Sequence, residues 1–522
     1  WYQRRVRGLM IGILTLQFIS VDQKTKRFKF PNGTQILFHG MNVVSKQFPY
    51  LPNMTGEWHF EHSLIDSDIA FMKSHGINMV RLGVMWPGVY PEKDKVNQTY
   101  LKEAEKLINK LGAAGIFTMV DFHQDDLSAY FCGEGIPDWA TTWHREGLRP
   151  FPQPNVKDNF TFDENHHPNR TQCLERNFAM YYMTDQVGDL MDCIFSPTCN
   201  PFSPFNQTQD ESYSLQKEFL KYWATVSQFF ADNEFVLGYD IINEPTAGNI
   251  WANPGHYLHS AKFESEVMEP FYQNAMATIW AADKNHMFFF EPVVSQILKT
   301  GFAVGGPGAK LGIPAEQQVF TWHLYCMTMD ENGDPKPPYV LCDIQNEFFY
   351  GQKNRSGAHL GLGNIIDEFG ALPDDDLSNG LLQSQLQLMS EDVHSWAYWQ
   401  FKPYGDITTI FNSQSSRNEG LWNKDGSLQR NKAKNLLHPY VQLTNGELYS
   451  SKFDFNSSTL SVKMVTGRTG LISKVPLNDL WLGFGRQSRV LAGAGAVKIV
   501  RTAQEISIVN IKEGDEVEIE IW

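Results

Sequence analysis

The chain is 522 residues long, beyond the length at which one hydrophobic core keeps growing, so a large domain of roughly 400 residues with a smaller companion is expected. Its 42% hydrophobic and 20% charged residues, with 36 Phe, 19 Tyr and 14 Trp, exclude a disordered chain and leave ample material for a large core and an aromatic-lined cleft. The formal net charge of −15 repels polyanions, which argues against nucleic acid and anionic membranes as partners and for a neutral or apolar one.

Residues 1–20 join a basic start (Arg4, Arg5, Arg7) to an apolar run, Leu9 to Ile19, broken only by Thr15 and Gln17. That run is short for a membrane span and reads as a signal peptide. Strands and amphipathic helices then alternate. Phe38–Asn42 predicts a strand, and Leu64–His75 a helix with Ile65, Ile69 and Met72 on one face. Asn78–Val84 is a second strand, Ala104, Leu107, Ile108 and Leu111 mark a second helix, and Ile116–Val120 is a third, buried strand. Further strands at Phe235–Ile242, Met287–Phe290, Val319–His323, Gly363–Ile366 and Trp396–Trp399 bring the set to eight, the number that closes a (β/α)8 TIM barrel. We place this α/β barrel at 21–438. The Pro-, Asn- and Asp-rich stretch Phe131–Ser214 is an insertion expected to overhang the barrel mouth. From 439 to 522 short alternating segments (Thr459–Met464, Ala496–Val500, Glu516–Trp522) predict a small β-sandwich domain.

Six cysteines without a metal-binding Cys-x-x-Cys spacing favour disulfides in a secreted chain. Connectivity stays open, although Cys193 with Cys199 and Cys326 with Cys342 are the close pairs and leave Cys132 with Cys173. Eight Asn-x-Ser/Thr sequons, at Asn32, Asn53, Asn97, Asn159, Asn169, Asn206, Asn354 and Asn456, point to the secretory or lysosomal route.

In a TIM barrel the chemistry sits at the C-terminal strand ends. The fourth strand runs into Asn243-Glu244-Pro245 and the seventh into Asp367-Glu368-Phe369, so two glutamates face one mouth. Glycoside hydrolysis needs such a pair, one acid to protonate the leaving oxygen and one carboxylate to attack or to activate water. Other strand ends carry Arg81, His123, His323 with Tyr325, and Trp399. Singly an Arg, a His or a Trp has an ordinary structural role; the series along successive strand ends does not. Glu291-Pro292 after the fifth strand imitates the fourth but lacks the preceding Asn, and we left it outside the site.

The ordered set Arg81, His123, Asn243-Glu244, His323, Tyr325, Glu368 and Trp399 resembles glycoside hydrolase family 5, over roughly Phe30 to Lys402. Asn42-Val43-Val44-Ser45-Lys46, Asp121-Phe122-His123-Gln124-Asp125 and the appended β domain resemble its endoglycoceramidase branch. The resemblance implies Glu244 as acid/base and Glu368 as nucleophile of a retaining β-glycoside hydrolase that needs no cofactor or metal. It further implies that Asn243 holds the sugar 2-hydroxyl and that Arg81 and Tyr325 donate hydrogen bonds to Glu368. His123 and His323 would position sugar and acid, Trp399 would floor the subsite, and Lys46 and Asp125 would contact sugar hydroxyls. The implied substrate is a glycosphingolipid met at a membrane surface. The alternatives are a β-glucosidase for glucosylceramide or steryl glucoside and a non-catalytic glycolipid binder. A lipid aglycone also needs an apolar trough, for which Ile136, Trp139, Trp143, Ile250 and Trp251 are the candidate walls.

Overall fold

The computed structural model describes residues 18–202, 213–328, 339–409 and 419–522. Three short strands come first: β1 (Ser20–Val21), β2 (Phe28–Lys29) and β3 (Gln35–Ile36). Eight parallel strands follow and close into a barrel: β4 (His39–Val43), β5 (Met79–Gly83), β6 (Phe117–Asp121), β7 (Val236–Asp240), β8 (Met287–Phe290), β9 (Gln318–Leu324), β10 (Gly363–Phe369) and β11 (Ser395–Tyr398). Nearly every residue in them is buried, as strands covered on both faces require. Gly238 of β7 is needed where it stands, because a Cβ there would lie 2.0 Å from the Met287 carbonyl oxygen of the neighbouring β8.

Helices cover the barrel, among them Asp66–Ser74, Gln98–Ala113, Leu215–Phe230, Glu269–Ala282, Val340–Leu360 and Asp376–Glu391. Gln98–Ala113 shows why they form: Leu101, Ala104, Leu107, Ile108 and Leu111 are buried on one face, and the Asn97 side chain accepts from the Tyr100 backbone N–H as N-cap. The crossover from β8 to β9 departs from the eightfold expectation, for it carries only two 3-10 turns, Pro307–Leu311 and Ala315–Gln317.

Eight more strands complete the chain: β12 (Leu443–Thr444), β13 (Gly446–Asp454), β14 (Thr459–Thr466), β15 (Ile472–Pro476), β16 (Ser488–Ala492), β17 (Val497–Arg501), β18 (Glu505–Asn510) and β19 (Glu516–Ile521). They form two antiparallel sheets whose apolar residues, such as Leu460, Val462, Ile508 and Ile519, join the main buried cluster. The division at 438/439 needs amendment. One sheet runs β1-β2-β3-β12-β15-β18-β17, so the N-terminal segment belongs to it through the pairing of Ile36 with Leu443. The same segment plugs the barrel bottom, where Ile19, Val21, Phe28 and Ile36 cluster with Met79, Met119, Met287 and Phe289. Most of the expected signal peptide, 1–17, lies outside the described residues; Ile19 and Ser20, placed in it from sequence, are part of the fold, with Ile19 buried and Ser20 paired to Lys29.

The disulfides are Cys132–Cys173, Cys193–Cys199 and Cys326–Cys342, with Cα–Cα distances of 5.5, 5.2 and 5.2 Å. Of the sequons, Asn206 is outside the described residues, and Asn354 sits within a helix with its amide nitrogen bound to Asp392. Among the described residues no helix is long and apolar enough to cross a membrane.

Candidate active site

The strand ends converge on the carboxylate of Glu368. Arg81 Nη1 donates to its Oε1 at 2.7 Å and the Tyr325 hydroxyl donates to its Oε2 at 2.9 Å. A break in the β9–β10 register between Ile366 and Glu368 brings Glu368 beside His323. His323 Nδ1 lies 2.7 Å from Glu244 Oε1 and 3.4 Å from Glu368 Oε2. One oxygen of each glutamate and a ring nitrogen of His323 thus lie within 4.8 Å of one another. Glu244 adopts φ +43°, a left-handed conformation costly for a residue with a side chain and characteristic of functional positions. Gln124 Nε2 supports that turn by donating to the Asn243 carbonyl oxygen at 2.7 Å.

Arg81 is the hub. It also donates to Asn243 Oδ1 at 2.8 Å, Asn42 Oδ1 at 3.2 Å, Asp240 Oδ2 at 2.8 Å and Asp121 Oδ1 at 3.2 Å. Asp121 in turn holds His123 Nδ1 at 2.8 Å, and the His123 ring stacks on Trp399 with centroids 5.1 Å apart. Lys46 lies over the Trp399 ring at 4.9 Å and contacts Asp125 at 2.5 Å, Thr408 at 2.6 Å and Asp406 at 3.0 Å. All ten residues expected at the site therefore meet in one connected set.

Several buried groups depart far from ordinary ionisation. Burial alone would lower His323, but Glu291, Glu368 and Glu244 outweigh it and hold its pKa well above the usual histidine value. Burial likewise opposes the charge on His123, yet Asp121 and Asp125 raise it to about 10. Lys46 is buried too, and Asp125, Asp406 and Glu134 raise its pKa, while Lys46 and His123 hold Asp125 below the carboxylate range against burial. Beneath Arg81 and His323, burial pushes Glu291 and Asp367 each up to about 7.

Sequence reasoning missed part of this floor. Glu291, set aside above, lies 3.4 Å from His323 Nε2 and 3.7 Å from Arg81 Nη2. Asp240, Asp367, Asp406 and Thr408 were not singled out either. For Asp240 and Asp367 a signal existed, since a carboxylate within an apolar strand cannot be buried without partners. Two of the expected trough walls prove to be packing: Ile136 is buried, and Trp139 is packed against the core with its indole N–H on the Tyr90 carbonyl. Trp251 is 48% exposed and Trp143 46%, so these two remain at the surface.

The apolar surface lies elsewhere as well. Tyr257 and Leu258 after β7, Ile297 and Leu298 after β8, and Met327 after β9 are all exposed. Ser260 Oγ meets Ser295 Oγ at 3.1 Å, tying the first two loops together. In the helix Val340–Leu360, Val340, Leu341, Ile344 and Phe348 share one exposed face, while Asn346, Lys353 and Ser356 are buried. The helix thus carries apolar side chains on both faces, since Cys342, Tyr350 and Leu360 are buried in the core. The Cys326–Cys342 disulfide pins it next to the strand end that carries His323 and Tyr325.

A family model described as Cellulase (glycosyl hydrolase family 5) matches residues 32–169 and 190–405. The chain is 26% identical to an endoglycoceramidase of Cyanea nozakii over 450 residues, covering 86% of this chain and 81% of that protein. It is 27% identical to an endoglycoceramidase of Hydra vulgaris over 447 residues, 85% of this chain and 77% of that one. Among solved structures, endo-glycoceramidase II from Rhodococcus sp. in complex with ganglioside GM3 superimposes with a TM-score of 0.70 at 19% identity, over 97% of this chain and 99% of that one.

Proposed function

The chain belongs to glycosyl hydrolase family 5, and from that premise we propose that it is a retaining β-glycosidase that cuts glycosphingolipids between the reducing-end sugar and ceramide. The observation that carries this is the glutamate pair. An oxygen of Glu244 lies within 4.8 Å of one of Glu368 and both flank the same His323 nitrogen, a close spacing that suits direct attack, for which carboxyl groups stand about 5–5.5 Å apart. An inverting enzyme needs roughly 6.5–9.5 Å to seat a water between them.

In the first step a Glu368 oxygen attacks the anomeric carbon while Glu244 gives its proton to the departing ceramide oxygen. In the second, Glu244 takes a proton from water, whose oxygen displaces Glu368 and restores both carboxyl groups. Arg81 and Tyr325 fix the nucleophile from both of its oxygens. Asn243 and His123 line the sugar side, Trp399 supplies its floor, and Lys46 with Asp125, buried against each other, hold that floor from beneath rather than meeting sugar hydroxyls directly. The exposed apolar loops after β7, β8 and β9 take the lipid side: the ceramide chains, and the neutral outer surface in which the lipid sits, a negatively charged one being disfavoured by the charge of −15. The endoglycoceramidase names of the relatives from Cyanea and Hydra agree with this substrate class. Three disulfides and the sequons support the secretory or lysosomal route.

The test is to incubate the protein with lactosylceramide, a ganglioside, glucosylceramide and a cello-oligosaccharide and to separate the products. Intact oligosaccharide and intact ceramide are expected, with the β-anomer released first. Stepwise loss of terminal sugars would favour a β-glucosidase, faster cleavage of the cello-oligosaccharide a cellulase, and the α-anomer an inverting mechanism. Glu368→Gln should lower kcat by about 10⁴-fold or more and Glu244→Gln by about 10²–10⁴-fold, with unchanged circular dichroism.

A further inference from the structure

Glu291 stands where no part of the proposed reaction needs it, yet its position is closely determined. It follows β8 directly, next to β9, which carries His323. Its backbone is clamped by Tyr272, whose hydroxyl donates to the Glu291 carbonyl oxygen at 2.9 Å and accepts from the Glu291 N–H at 3.2 Å. The carboxylate is buried, with Oε1 aimed at His323 Nε2, 3.4 Å away. Neither of these two atoms makes a hydrogen bond to any other group. Buried polar atoms are rarely left in that condition, so each is the other's natural partner. The remaining groups facing the imidazole are Glu244 and Glu368 on its Nδ1 side and Asp367, 3.7 Å from Nε2. Asp367 also lies 3.5 Å from Arg81 Nε.

We propose that Glu291 is a positioning residue for the acid/base: it captures the Nε2–H of His323 and thereby keeps Nδ1 directed at Glu244. An imidazole gripped at one nitrogen has a fixed ring orientation and proton position at the other. Glu244 must deliver a proton and later recover one, so a partner held in one geometry serves both steps. The inference rests on Glu244 being the acid/base.

Three measurements test it. Glu291→Gln keeps the shape and removes the charge that, above about pH 7, favours protonated His323. The alkaline limb of kcat/KM should move to lower pH, and Glu291→Asp, which keeps the charge, should bring part of it back. Loss of acid assistance should depend on the leaving group. Glu291→Gln should lower kcat/KM for a lipid glycoside by roughly tenfold or more, a share of what general acid catalysis contributes. For a dinitrophenyl glycoside, whose departure needs no proton, the loss should stay below about threefold. In the wild-type protein, ¹⁵N resonances of His323, assigned with His323→Gln, should show Nε2 protonated up to at least pH 8 whether or not the variants fold. Equal losses on both substrates with an unmoved pH profile, or an Nε2 that loses its proton near pH 6.5, would overturn the role of Glu291. A wild-type protein inactive on every glycoside would instead overturn the glycosidase function on which the inference rests.

Discussion

The two halves of the barrel mouth are built on opposite principles. On the side of β4, β6 and β11, Lys46, Asp125, Asp406 and Thr408 are buried and joined by contacts of 2.5–3.2 Å. On the side of β7, β8 and β9, Leu258 is 73% exposed and Ile344 59%. The first half buries charge, which is costly unless every group is paired, so its geometry is held by mutual need. The second half leaves apolar side chains in water, which costs little singly but marks a surface that gains by being covered. A glycolipid has the same division, hydroxyls at one end and hydrocarbon at the other. On the function proposed above, the matching division of the mouth directs sugar toward β4 and β11 and lipid toward β8 and β9.

Removing one partner from the buried half should have the largest effect. Lys46→Met keeps the side-chain length but leaves Asp125 and Asp406 without their cation. Breaking a buried pair from one side costs about 3–5 kcal/mol. The expected result is a fall of that size in unfolding free energy, read from denaturant midpoints, with weaker glycolipid turnover. A loss below about 1 kcal/mol would mean that the network is not the rigid half of the site.

The exposed half should respond in the opposite way. Leu258→Asp with Ile344→Asp should leave stability within about 0.5 kcal/mol, as surface changes do. Hydrolysis of a soluble aryl lactoside should be unchanged, while hydrolysis of the same head group in zwitterionic vesicles should fall about tenfold, roughly 1.4 kcal/mol. Equal rates in vesicles would remove the lipid side from this rim.

The same contrast decides what could be read from the sequence. β8 was legible to the residue because Met287–Phe290 is a short apolar run between polar ends. The pairing of Glu244 and Glu368 at one mouth was legible because a polar residue that ends a buried strand breaks the pattern of the strand itself. Glu291 breaks it in the same way, but its meaning depends on His323 in the next strand, and that adjacency is a property of the closed barrel. The partners of Lys46 were hidden for a related reason: Thr408 lies 362 residues away along the chain. β1, β2 and β3 have two residues each, too few for any periodicity to register. Ile136 and Trp139 were misjudged because the burial of an insertion is settled by what folds over it.

The last effect expected is a dependence of stability on pH that belongs to the buried charged groups and not to the exposed apolar rim. Burial pushes Glu291 and Asp367 up to about 7 and Glu419, beside Asp406, up to about 8. In the unfolded chain such groups titrate near pH 4. Their folded values are raised, so their contribution is fully present below the unfolded value and is lost as pH rises through 7 to 8. His123, raised to about 10, and His323 are protonated in the folded chain where the unfolded chain has lost its protons, so their contributions begin to fall near pH 6.5 and add to the same trend. Three histidines oppose this trend. Burial lowers His39, His394 to about 3 and His438 to about 4, and the stability they add with rising pH is complete once the unfolded chain has lost its protons near 6.5. Lys353 and Lys402, each lowered to about 8 by burial, act above that value. Between pH 6.5 and 8 the buried acids together with His123 and His323 are therefore the main groups that distinguish folded from unfolded chain, and the folded chain holds more protons. Unfolding free energy should fall across this window by about 1–3 kcal/mol, read as denaturant midpoints at the two pH values. Glu291→Gln should flatten the slope because it deletes one of the titrating groups, whereas Leu258→Asp with Ile344→Asp should leave it as it is. A midpoint that rose from pH 6.5 to 8 would mean that these buried groups do not hold extra protons in the folded protein.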